Sequence, residues 1–229
     1  MFAFIIDVMT IKALLLFLLL PSFVTAQTIN YKIEGKIKNP ENSKYAYLII
    51  RGKKPIAKPI INGEFIFKDT IDLGLGFYKG GYLLLENRGN ITSEEVSSKL
   101  KQGIWKLGVT SNLKNIALED IKLDIEGSNI IDAAIIEGGE LTRQMDELNQ
   151  ERKINNFKAF IIKYPDSPVS ISFISSILYS FGIPMELAEL ERRHGSPREL
   201  FPLLSEKLRT SKKGIEVKRS IDEAYKNKQ

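Results

Sequence analysis

Residues 29–38 read Ile-Asn-Tyr-Lys-Ile-Glu-Gly-Lys-Ile-Lys, with apolar or small residues at every odd position and polar residues at every even position. Successive side chains of a β-strand point to opposite faces of a sheet, so this period of two predicts a strand with one buried face. A strand of this kind needs neighbours that share its core. The stretch therefore sets the class of the N-terminal half as β-rich.

Further short strands and turns follow. Tyr45–Ile50 is an apolar run, Asn62-Gly63 stands between two apolar runs, and prolines precede that turn. Asn-Gly in this setting is a strong hairpin signal, and the prolines place the preceding strand at a sheet edge because proline cannot donate to a ladder. A second hairpin over 77–85 and strands over 104–109 and 121–125 complete the pattern. It predicts an antiparallel β-sandwich or a partly open barrel over residues 27–137.

From residue 138 to residue 226 the apolar period becomes helical, so the fold class is α+β with a C-terminal helical segment. Leu141, Met145 and Leu148 point nearly opposite to Phe157, which predicts either one long helix with two partners or a break within 149–153. Later helices are predicted over 168–181, 184–194 and 212–225, with another opening at Ser196. Residues 227–229 are read as a tail.

The first 26 residues have the pattern of a signal peptide. Residues 13–20 form an apolar core of the usual length, and Val24-Thr25-Ala26 is a small-residue cleavage site. Met9 is the better translation start, since Met9-Thr-Ile-Lys12 then supplies the short positively charged n-region that a signal peptide needs. We therefore expect export to the periplasm or beyond, with no stable membrane span after cleavage; an uncleaved N-terminal anchor is the alternative.

Composition excludes several classes of chemistry. The 229 residues hold no cysteine and one histidine, with a net charge of +5. Thiol nucleophiles, redox pairs and thiolate metal sites are therefore excluded, and a histidine-based metal site is not expected. The basic surplus is dispersed and lacks an aromatic platform, so nucleic-acid binding is not expected. We predict no catalytic residue, no metal and no cofactor.

Aromatic residues supply the candidate ligand groove: Phe77, Tyr78, Tyr82 and Trp105. Aromatic side chains from adjacent strands can bind a peptide, sugar or lipid, and core packing is the competing interpretation. Two other features have structural interpretations. Asp124 and Glu126 are read as the solvated face of an edge strand, and His194 as a cation at a helix C-terminus.

Several segments resemble those of a family of exported proteins. Asp124-Ile-Glu126-Gly127-Ser128, residues 133–138, Tyr164-Pro-Asp-Ser167 and Leu208-Arg-Thr-Ser211-Lys-Lys-Gly214 are similar to a domain of unknown function and its helical linker, which precede a TlpA/ResA-like thioredoxin domain. The resemblance covers about residues 29 to 226. It implies an accessory portion whose catalytic thioredoxin domain, with its Cys-x-x-Cys pair, is absent.

The resemblance implies a non-catalytic exported binding or interaction module. Its partner would be a protein of the cell envelope, or a second copy docked through the helical segment. Two alternatives stay open: an accessory subunit of a periplasmic thiol-disulfide redox system, and a truncated thiol-disulfide oxidoreductase.

Overall fold

A computed structural model describes residues 28–40, 42–74, 76, 78–178 and 187–226. The predicted signal peptide, Phe77 and the tail lie outside the described residues. The strands are β1 Thr28–Lys38, β2 Tyr45–Ile50, β3 Ile56–Pro59, β4 Glu64–Asp72, β5 Gly80–Glu86, β6 Leu113–Ala117, β7 Ile121–Glu126 and β8 Asn129–Gly138. The helices are α1 Ser93–Lys101, α2 Glu140–Lys153, α3 Phe157–Lys163, α4 Pro168–Leu178, α5 Leu187–His194, α6 Pro197–Leu200, a 3-10 turn Phe201–Leu203, α7 Glu206–Thr210 and α8 Lys212–Lys226.

The strands form two four-stranded sheets, which confirms the α+β class. The first sheet has the order β4-β1-β7-β8 and the second the order β3-β2-β5-β6. The first sheet is mixed, because β1 and β7 run parallel, so the expectation of a purely antiparallel arrangement is wrong for this pair. An alternating pattern fixes which face of a strand is buried but not the direction of its neighbour.

Side chains from both sheets meet in one buried cluster. Tyr31, Ile33 and Ile37 of β1 are buried, while the lysines that alternate with them face outward. Leu48 of β2 and Leu83 of β5 bring the second sheet into the same cluster. The period-two prediction for β1 is therefore confirmed, and the two sheets lie face to face without either one closing on itself.

The Asn62-Gly63 turn forms, but it does not join two strands of one sheet. Both residues have positive φ, and Ile61 and Glu64 exchange backbone hydrogen bonds of 3.0 and 2.9 Å. The flanking strands then diverge, β3 pairing with β2 at the edge of the second sheet and β4 pairing with β1. The Ile37 amide donates to the Gly63 carbonyl at 2.7 Å, which draws the chain after the turn onto β1. The edge position of β3 agrees with the proline signal.

Two other strand predictions are wrong. Residues 80–86 form the single strand β5, in which Gly81 pairs with Ile50 on one side and with β6 on the other. A Cβ on Gly81 would lie 3.1 Å from the Ile49 carbonyl oxygen, so the glycine permits close strand approach rather than a turn. Residues 104–109 form no strand either, because α1 precedes them and the chain then turns back.

Helices follow β8. The helix breaks between the two apolar sets, but at 154–156 and not within 149–153, because α2 ends at Lys153 and α3 begins at Phe157. The Ser167 hydroxyl accepts a 3.0 Å hydrogen bond from the Val169 amide and caps α4, which Pro168 opens as expected. Pro202 lies in a 3-10 turn that interrupts the helix opened at Pro197. The helices bury their own apolar cluster around Phe160, Ile174 and Ile221.

Polar contacts join the helices to the second sheet at β6. The Glu119 carboxylate accepts hydrogen bonds from the Leu141 amide at 3.0 Å and from the Thr142 amide and hydroxyl at 2.7 Å each. The Thr142 hydroxyl in turn accepts from the Ala117 amide at 3.1 Å. The buried Lys114 ammonium donates to Asp146 at 2.7 Å. These contacts, here called the junction, fix α2 against β6.

Among the described ranges, which stop at residue 178 and resume at 187, no helix is both long enough and apolar enough to cross a bilayer.

Candidate functional site

The structure places the predicted aromatic residues in two different clusters. Trp105 is 5% exposed and shares a buried cluster with Tyr82, whereas Tyr78 packs against the helical cluster. Phe77 lies outside the described residues. Trp105 and Tyr82 are thus brought together and Tyr78 is not, so the placement of Trp105 favours core packing, and ligand binding by these residues stays a prediction.

Trp105 packs on the outer face of the second sheet. Both faces of β2 are buried: Leu48 points toward the first sheet, while Tyr47 and Ile49 point outward into the Trp105 cluster. Helix α1 covers this outer face through Val96. The Lys99 ammonium lies 4.3 Å from the centroid of the Trp105 ring. A cation at this distance is attracted by the aromatic face.

Three exposed apolar side chains lie close to Trp105 in the chain. Ile104 is 57% exposed, Leu107 41% and Val109 66%, all within six residues. We call residues 103–109 the apolar loop. Isolated exposed apolar side chains are normal on protein surfaces, but neighbouring ones mark contact surfaces. The loop therefore combines one buried anchor with three side chains that face solvent.

Backbone hydrogen bonds hold the apolar loop in shape. The amides of Ile104 and Trp105 donate to the Lys99 carbonyl at 2.9 and 3.2 Å, and the Lys106 amide donates to the Thr110 hydroxyl at 2.7 Å. The amides of Val109 and Thr110 donate to the Lys106 carbonyl at 3.1 and 2.8 Å. The apolar side chains are thus displayed by a preformed turn, and their display costs little ordering entropy on binding.

Lysines surround the apolar loop. The chain carries no aspartate or glutamate from Val96 to Leu118, whereas it carries Lys99, Lys101, Lys106 and Lys114 in that span. Lys114 is buried at the junction, and Lys99 pairs with Glu95 at 2.9 Å. Lys101 and Lys106 are exposed, and within the described part of the chain no ion pair joins them to an acidic group. The loop surface therefore combines exposed apolar side chains with the exposed lysines 101 and 106.

Two concave surfaces lie elsewhere on the strands. A cleft of about 200 Å³ crosses the outer face of the first sheet, between Ile66 and Ile136. A cavity of about 380 Å³ is lined by Arg51, Lys53, Tyr78 and other residues at one end of the sheets. Burial raises the pKa of the Tyr78 hydroxyl above its ordinary value of 10.0, so it stays protonated at neutral pH.

The acidic pair on β7 is solvated and paired, as expected for a surface. Asp124 accepts from Lys38 at 2.6 Å and Glu126 from Asn39 at 3.3 Å. β7 lies between β1 and β8, however, so its predicted position at a sheet edge is wrong. Alternation marks an exposed face equally on edge and interior strands. Among the residues that the structure describes, no group of three or more His, Asp or Glu side chains could hold a metal ion.

His194 ends α5 as predicted, but its environment disfavours the cation. Its ring packs edge-on against Phe157 with 5.8 Å between the centroids. Burial, followed by the charges of Arg152 and Arg193, lowers the pKa of His194 below 6.5. The lowered pKa favours the neutral imidazole at pH 7, which weakens the expected interaction of its charge with the helix end.

No family model, no curated protein and no solved structure matches this chain. The resemblance to TlpA-like proteins therefore stays a prediction drawn from the sequence segments.

The residues that sequence reasoning missed are Ile104, Leu107 and Val109. Their apolar character favoured a strand, yet Gly103 and Gly108 bracket Ile104 and Leu107, Val109 follows directly, and both glycines adopt positive φ. Glycine on both sides of a short apolar segment is the signal that favours a turn over a strand. The segment also begins only two residues after α1, which leaves little chain for a strand connection.

Proposed function

We propose that this chain is a non-catalytic exported interaction module, related to the N-terminal part of TlpA-like thioredoxin proteins, and that the apolar loop is its contact surface. The observation that carries the proposal is the exposure of three large apolar side chains on one preformed, hydrogen-bonded turn. Burial of exposed apolar surface against a partner lowers the free energy by about 25 cal/mol for each Å² removed from water.

Thiol chemistry has no place in this chain, because the sequence holds no cysteine. Thiol-disulfide exchange proceeds by attack of a thiolate, and no other side chain replaces it. A binding role needs no such group. This supports a module that contacts a partner rather than one that transforms a substrate.

The rest of the fold holds the apolar loop in a fixed position. The two sheets are arranged as in a β-sandwich, α1 and Trp105 fix the loop on the outer face of the second sheet, and the junction fixes the helices to β6. A binding surface on rigid elements loses less entropy on association than one on a mobile segment. In this proposal the helical segment braces the sandwich and does not itself carry the contact.

Capture from the native cell envelope tests the proposal. The full chain is immobilised as wild type, as the loop variant Ile104→Ser/Leu107→Ser/Val109→Ser, and as the matched control Ile154→Ser/Ile162→Ser/Ile215→Ser. The control isoleucines are 57–69% exposed in the helical segment. Envelope material should be retained by the wild type and the control and lost by the loop variant.

Equal retention by the loop variant and the wild type, with both folded by circular dichroism, would refute the loop as the contact surface. If only the control variant loses binding, the contact surface is on the helical segment and not on the loop, as expected for self-association through the helices. Retention of one thioredoxin-like protein through the loop would assign the chain as an accessory subunit of a redox system.

A further inference from the structure

We propose that the apolar loop binds the surface of an anionic lipid bilayer. The inference rests on the proposed function, since it names the partner of the same surface.

The apolar side chains are displayed outward rather than around a groove. Ile104, Leu107 and Val109 are each between 41 and 66% exposed, while Trp105 between them points into the protein. A protein partner would need a complementary pocket for each of these side chains. The interfacial region of a bilayer accepts apolar side chains of any shape, to a depth of about 5–10 Å.

The charges around the loop complement an anionic surface. Lys101 precedes the apolar side chains and Lys106 lies between Ile104 and Leu107, and no acidic residue occurs between Val96 and Leu118. The acidic residues on the neighbouring helix are Glu94 and Glu95. Glu95 is held by Arg88 and by Lys99, so its charge is offset on the protein itself. Lysines near an anionic bilayer contribute to binding through the surface potential.

The two contributions reinforce each other. Weak insertion of a few apolar side chains gives marginal membrane binding, and a basic flank is the usual second signal that stabilises it. The preformed turn adds to this because the amides of Val109 and Thr110 already donate to the Lys106 carbonyl, so the turn is ordered before it meets the surface.

A site-specific fluorophore tests the inference. The full chain has no cysteine, so Val109→Cys creates a single thiol for an environment-sensitive dye. Ile215→Cys on α8 is the matched control, because Ile215 is 61% exposed and Val109 66%. Each labelled protein is titrated with vesicles of phosphatidylcholine, with and without phosphatidylglycerol.

We expect a blue shift and brighter emission at position 109 with phosphatidylglycerol vesicles, and unchanged emission at position 215. Lys101→Ala and Lys106→Ala should each weaken vesicle binding by about fivefold. The control pair Lys158→Ala and Lys207→Ala, on exposed helical positions, should weaken it by less than about twofold.

Unchanged emission at position 109 would overturn the inference, even if the chain sediments with vesicles through another segment. Equal binding to vesicles without phosphatidylglycerol would overturn the anionic requirement. If loop-dependent capture from detergent-solubilised envelopes persists without any vesicle response, the partner is a protein, and the proposed function stands while this inference fails. If neither occurs, both fail.

Discussion

Replacement of Glu119 by alanine tests how the helices are held on the sheet. Helix α2 starts after Gly139, which has no side chain to cap it, and the Glu119 carboxylate from beyond β6 accepts the Leu141 and Thr142 amides instead. Loss of an N-terminal cap costs about 1–2 kcal/mol. The Thr142 hydroxyl is fully buried and would lose its acceptor as well, at about 1–2 kcal/mol. We expect Glu119→Ala to lower the free energy of unfolding by about 2–4 kcal/mol.

Urea unfolding followed by far-UV circular dichroism measures this loss. Glu119→Gln retains one acceptor oxygen and should lose less than the alanine variant. Glu64→Ala, at an exposed position of β4, is the matched control and should change stability by no more than about 0.5 kcal/mol. A Glu119→Ala variant as stable as the Glu64→Ala control would refute the capping role.

Three further predictions concern the loop anchor, the start of the helical segment and pH. Trp105→Ala should cost about 3–5 kcal/mol in chemical unfolding because it empties a buried site, whereas Trp105→Phe should cost less; equal costs would contradict the packing argument. Gly138→Ala should lower the melting temperature sharply, since its Cβ would lie 2.0 Å from the Asp120 carbonyl oxygen at φ +62°, and an unchanged melting temperature would disprove this backbone requirement. The lowered pKa of His194 means that the unfolded chain binds its proton first, so stability should be full above pH 6.5 and fall as the pH drops through the folded pKa. Urea titrations between pH 5 and 8 should show this slope in the wild type and less of it in His194→Gln.

The alternation in residues 29–38 was sufficient to predict β1, because burial of one face is a local property of the strand. The pairing of the strands on either side of the Asn62-Gly63 turn is not a local property. The dipeptide dictated the turn, but the pairing of β3 with β2 and of β4 with β1 joins residues up to 44 positions apart. The parallel pairing of β7 with β1 depends on contacts still further apart in the chain. The start of α4 was predicted, since its cap Ser167 acts within a few residues, whereas the predicted helix end at 181 and start at 184 lie outside the described residues.

The apolar loop shows why the candidate site was harder to predict than the fold. Hydrophobicity identified Trp105 and its neighbours but could not tell which of them pack inward. That distinction comes from α1 and the outer face of the second sheet, which bury Trp105 and leave Val109 exposed. The separation of Tyr78 from Trp105 likewise follows from the placement of the helices, to which Tyr78 packs.

Thiol protection in the native envelope tests the contact role of the apolar loop most directly. Val109→Cys and Ile215→Cys give single thiols of similar exposure on the loop and on α8. A water-soluble maleimide is applied to each variant in intact envelopes and after purification. We predict that the envelope slows modification at position 109 several-fold and leaves the rate at position 215 unchanged. Equal rates at position 109 in the two settings would contradict the account.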